Sequence, residues 1–173
     1  MDNLFIKDTQ CEQDQHSKPT IGHIALMKGV LSCGSMLMQN GTFVQKCFEE
    51  IIKFCNGPIS VHYHAFCTLE QFYNKIKTSV SGIIIPDMLS TTIDTIWLNW
   101  DSPVQDVPQI VVRIFSTMLH VCQNLYKLSL CHDIIPDVLS RLHKMSWYVK
   151  GQYRILSALL PYVDSKQVSD IYR

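Results

Sequence analysis

The sequence predicts an all-α chain built from helical hairpins, and three observations point there. Apolar residues recur at steps of three and four from Ser17 onward, with little of the alternation that marks strands. Ser, Thr and Pro at segment starts, and Gly or Pro at segment ends, punctuate the chain as helix boundaries do. The odd-numbered segments open near residues 20, 60, 103 and 146, a spacing of about 40 to 43 residues in or close to the ~40–47 of a HEAT or armadillo helical pair. This favours a segment of α-solenoid, with a single globular helical bundle as the alternative. Residues 1–18 are expected to be a polar N-terminal segment and 19–173 the helical-repeat segment.

The first helix is expected to open at Ser17 to Pro19, to carry Ile21, Ile24, Met27 and Leu31 on one face, and to stop near Gly34. Thr42 and Gln45 form a capping box for the second, whose stripe is Val44, Cys47, Phe48, Ile51, Ile52 and Cys55, ended by "NGP" at 56–58. Ser60 opens the third, through Val61, Ala65, Leu69, Phe72 and Ile76, and "SVSG" at 79–82 closes it. The fourth runs from near Pro86 to Trp100.

In "IWLNWDSPVQDVPQ" (96–109), Ser102 and Gln105 read as a second capping box with Pro103 at the first helical position. The fourth and fifth helices should then be joined by a turn of two or three residues and lie antiparallel. Pro108 would kink or detach the first turn of the fifth helix, whose stripe is Val111, Ile114, Phe115, Met118, Cys122 and Leu125. The sixth follows "CHDIIP" and carries Val138, Leu142 and Met145; the seventh runs from Ser146 to before Pro161. "DSKQVSDIYR" (164–173) reads as the beginning of an eighth helix, so the segment is expected to be truncated at its C-terminal end.

Composition narrows the function. Hydrophobic residues make up 47%, enough for a packed core, and Lys plus Arg equals Asp plus Glu at 15 each. No global field would draw nucleic acid or an anionic membrane, so such binding needs a local patch. The start "MDNLFIKDTQCEQDQHSKP" is no signal peptide and no apolar run reaches the ~18 residues of a membrane span, so a cytosolic location is expected. Seven cysteines without a C-x-x-C are read as buried thiols.

Chemistry-bearing motifs are sparse. No G-x-G-x-x-G or Walker loop occurs, so no cofactor and no self-contained catalysis are expected. His62 and His64, two apart, diverge on a helix and are read as first-turn residues rather than zinc ligands. Cys131 and His132 are read as loop, and Glu49 and Glu50 as a solvated face. The electrostatic feature is C-terminal: no acidic residue lies between Asp137 and Asp164, while Arg141, Lys144, Lys150 and Arg154 do, with His143. Spaced three and four apart on successive helices, these four are candidate contacts to RNA phosphates, or an ordinary solvated face balanced by neighbours in space. Trp97 and Trp100 follow their helix stripe and are read as packing residues that pin the turn with Asp101, Ser102 and Pro103; base stacking is the alternative.

"IWLNWDSPVQDVPQIVVRIF" (96–115) resembles the Trp-x-x-Trp-Asp/Glu-x-Pro turn and following apolar helix of the THADA family, the thyroid adenoma-associated proteins and their fungal counterparts. "HIALMKGVLS" (23–32) and "ISVHYHAFCTLEQF" (59–72) resemble the helices that precede that turn in the same order. The resemblance covers about the first two thirds of the chain. It implies a long helical-repeat protein, the non-catalytic partner of an FtsJ-like methyltransferase in 2'-O-ribose methylation of tRNA at anticodon-loop nucleotide 32. The methyltransferase would supply the S-adenosylmethionine site. The matched residues are turn and packing positions, so no family site residue carries over. The alternative function is a HEAT-like adaptor that binds a protein or peptide in its concave groove without RNA.

Overall fold

The computed structural model describes residues 20–33, 39–78, 86–125, 129–146, 148–163 and 169. Among these the chain is helical throughout, with no strand. The expected helix opening at 17–19, the stops near 34 and at 79–82, the polar segment 1–18 and the start of an eighth helix at 164–173 lie outside them, save Ser169 of the last.

Helix α1 (Ile21–Cys33) buries Ile24 and Leu31, two turns apart, and leaves Ile21, Leu26 and Val30 exposed. Helix α2 (Gly41–Cys55) starts one residue earlier than the Thr42–Gln45 box predicts. Asn40 is the cap, its side chain accepting from the Phe43 N–H at 3.1 Å, and Gln45 donates forward to Glu49 instead. A 3₁₀ turn at Ile59–Val61 leads into α3 (His62–Thr78), which buries Ala65, Phe66, Leu69, Phe72, Tyr73 and Ile76. Helix α4 (Pro86–Asn99) buries Met88, Leu89, Ile93 and Ile96.

The turn after α4 departs from expectation. Helix α5 (Val107–Leu125) begins at Val107, so seven residues, 100–106, separate it from α4, and the Ser102–Gln105 box does not form. The Ser102 hydroxyl accepts from the Val104 N–H at 3.3 Å, and Asp106, in the left-handed region at φ 66, gives its carbonyl to the N–H of Ile110. Pro108 supplies the reason: in a helix started at Pro103 its ring would collide with the Val104 carbonyl, which is taken instead by the Val107 N–H. In the first turn, where no partner is needed, proline costs nothing.

Helix α6 (Ser129–His143) also departs, running through Pro136 rather than starting after it, so Cys131 and His132 are helical and not in a loop. Burial of Ile134 and Ile135 before the proline and Val138 and Leu142 after it holds one helix across the missing bond. Helix α7 (Lys150–Leu159) starts four residues beyond Ser146 and ends, as expected, before Pro161, in a 3₁₀ turn at Leu160–Tyr162.

The odd helices touch in succession, α1 on α3, α3 on α5 and α5 on α7, while α2 packs on α3 and α4. Helices α3 and α5 therefore hold the middle of the core, with Phe66, Leu69, Ile114 and Met118 inaccessible to solvent. Two polar devices tie the seams. The buried Tyr73 hydroxyl lies 2.7 Å from Thr92 Oγ1, which itself donates to the Met88 carbonyl, so Tyr73 is the donor between α3 and α4. At the surface Arg113 of α5 forks onto Glu70 of α3, Nε–Oε1 2.5 Å and Nη2–Oε2 3.1 Å.

Candidate functional site

The residues singled out by the sequence meet where α6 and α7 close on the end of α4. Asp94 and Trp97 stand three apart on α4, and Asp137 and Arg141 four apart on α6, so each pair shares a helix face. Arg141 bridges them: Nη1 to Asp94 Oδ1 at 2.7 Å, Nε to Asp137 Oδ2 at 2.9 Å, with its guanidinium 5.7 Å from the centre of the Trp97 ring. Burial favours loss of its proton, but hydrogen bonds from Asp137 and Asp94 outweigh that and hold the guanidinium pKa above its ordinary value. Arg141 is thus an interhelical clamp whose charge is balanced by two carboxylates.

Trp100 anchors the other helix. A Cβ on Gly151 would sit 2.0 Å from Trp100 Cζ3, so the indole lies directly on the α7 backbone and only glycine permits the approach. The loop into α7 is set by its own bonds: the Ser146 carbonyl accepts from the Val149 N–H at 3.0 Å and from buried Gln152 Nε2 at 2.9 Å. Both tryptophans are half-buried, the packing roles expected of them. Asp101 and Pro103 are exposed in the turn, and Ser102 is half-buried there.

The remaining cations stay outside. Lys144 follows α6, Lys150 opens α7 and Arg154 lies one turn on; all three are exposed, and among the described residues none is in an ion pair. The structure adds two aromatic rings that the charge pattern did not single out, Tyr148 at 71% and Tyr153 at 46% exposure. Their signal was the alternation of tyrosine and cation in "YVKGQYR" (148–154). Gly151 was equally legible as a glycine in a first helical turn; its partner Trp100, 51 positions away by sequence number, was not.

A second feature is an open groove of about 440 Å³ between α2 and α4. Phe48, Ile52 and Met88 give it an apolar floor, with Gln45, Glu49, Lys53, Asp87 and Thr91 around it. His62 is held by an Nε2 contact to the Gly57 carbonyl at 2.9 Å at the start of α3. Among the described residues no group of three or more His, Cys, Asp or Glu could hold a metal ion, and no helix is long and apolar enough to cross a membrane. Burial pushes the Cys47 and Cys55 thiols up, away from the nucleophilic thiolate.

Comparison with protein-family models, with curated proteins and with solved structures gives no match to this chain.

Proposed function

We propose that this chain is a non-catalytic helical-repeat scaffold of the THADA kind, which contacts tRNA in support of an FtsJ-like methyltransferase acting at anticodon-loop nucleotide 32 in the cytosol. The observation that carries the RNA side is the exposed cationic strip of Lys144, Lys150 and Arg154, in a stretch without a carboxylate from 138 to 163. The repeat reading is supported by helix starts at Ile21, His62, Val107 and Lys150, about 43 residues apart and within the HEAT range, and by the succession of contacts along the odd helices. Arg141 contributes to this scaffold by fixing α6 on α4 rather than by meeting phosphate.

The test is affinity capture of the tagged chain with recovered RNA sequenced and bound proteins identified at low and moderate salt. Enrichment of tRNA together with an FtsJ-like methyltransferase, with the RNA lost as salt rises, is the expected result. The groove between α2 and α4 favours the second reading, an adaptor for a protein segment. Protein partners held regardless of salt, with no RNA, would select it.

A further inference from the structure

Building on the RNA reading above, we propose that the outer face of α7 and the loop before it bind unpaired nucleotides, with tyrosine rings against bases and cations against phosphates, in preference to a duplex.

Lys150, Tyr153, Arg154 and Ser157 fall at i, i+3, i+4 and i+7, a single helix face, and all four are exposed. Gly151, Gln152, Ile155 and Leu159 take the buried side. Tyr153 therefore stands beside Arg154 and one turn from Lys150, whose Cα positions are about 6 Å apart along the axis. Tyr148, one turn of chain earlier, adds a second ring, and Lys144 a third cation.

Rings and charges answer to different parts of a strand. Cations meet the backbone of any nucleic acid, single or paired. A phenol ring gains by stacking only on a base whose face is open, about 1–3 kcal/mol per base, and in a duplex those faces are already covered. The platform is also held still. Trp100 lies on the Gly151 backbone, and Gln152 ties α7 to the Ser146 carbonyl, so the helix that presents Tyr153 is fixed on both sides. Arg141 spends its charge on Asp94 and Asp137, which tempers the two nearest carboxylates without adding a phosphate contact.

The full chain would be titrated against labelled oligouridine and against an RNA duplex of the same length, about 12 nucleotides, within the ~4–16 that such platforms cover. Wild type is expected to prefer the single strand. Tyr148→Leu with Tyr153→Leu should weaken it roughly ten- to a hundredfold while leaving the duplex almost unchanged. Tyr153→Phe should keep the affinity, and Tyr153→Trp should show indole quenching on oligouridine. Replacing Lys144, Lys150 and Arg154 by Gln should weaken both ligands and flatten the salt slope by about 2 for the single strand.

If the cation variant loses binding and the tyrosine pair does not, or if the Tyr153→Trp indole ignores the strand, the stacking platform is overturned and the phosphate reading survives. If wild type binds no RNA of either kind, both fail. Equal binding to anionic lipid vesicles and to both RNAs would also overturn the platform, as charge without ring selectivity. Unchanged melting of each variant separates loss of a contact from loss of the fold.

Discussion

The seam between α3 and α5 and the junction of α4 with α6 and α7 hold helices together by different means. At the seam, side chains such as Phe66, Leu69, Ile114 and Met118 exclude water completely, and the one ion pair described there, Arg113–Glu70, sits at the rim. At the junction a guanidinium spans two carboxylates over an indole, and a second indole rests on bare backbone. The seam draws its strength from area removed from water, so it tolerates a lost surface charge. The junction depends on a few exact fits, so one methyl group in the wrong place disturbs it. That suits an edge whose outer face carries cations and tyrosines, where little apolar area is left for packing.

The largest effect should come from the seam. Phe66→Ala empties a fully buried site and is expected to cost about 3–5 kcal/mol, read from the midpoint of a urea unfolding curve. A loss under about 1 kcal/mol would mean that the core closes over the gap and is less rigidly packed than its burial implies.

Next comes Gly151→Ala. The added Cβ meets the Trp100 ring, and overpacking of this kind costs about 1–3 kcal/mol. Combining it with Trp100→Leu should recover part of the loss, because the obstacle is gone. Strict additivity of the two variants would sink the contact.

Thr92→Val tests the polar tie across α3 and α4. It removes the acceptor of the buried Tyr73 hydroxyl and should cost about 1–3 kcal/mol, whereas Tyr73→Phe with Thr92→Val should cost less than Thr92→Val alone, since no buried donor is then left unmet. The double variant being the worse of the two would show that Tyr73 finds another partner.

How far the sequence foretold these two regions follows from the range of each interaction. Helical class, the buried stripes of α2, α3 and α5, and the packing of Trp97 and Trp100 were legible because each is a local period of three or four. Helix boundaries were less so, and the two prolines explain why. Pro108 and Pro136 obey the same steric rule, yet the chain breaks before Pro108 and runs helically through Pro136. What decides is burial on either side, Ile134 and Ile135 against Val138 and Leu142, which is a tertiary quantity. The basic strip was read as four like residues because sequence shows charge and not its neighbours. Asp94, which captures Arg141, lies on another helix, and so does Glu70, the partner of Arg113.

The smallest effects separate the two ion-paired arginines. Arg113→Gln removes an exposed pair and should cost about 0.2–1 kcal/mol at low salt. Because its rim position leaves Coulomb attraction open to screening, that cost should fade as salt is raised toward ~1 M, where the Debye length is about 3 Å. Arg141→Gln loses a ring contact of about 0.5–1 kcal/mol as well, and leaves Asp94 and Asp137 to repel one another. Its cost should therefore be the larger and should persist in part at high salt, since the stacked guanidinium also covers apolar surface. Paired unfolding curves at two salt concentrations check this. Equal fading for both variants would reduce the Arg141 clamp to a surface charge pair and make the junction a weaker copy of the rim of the seam.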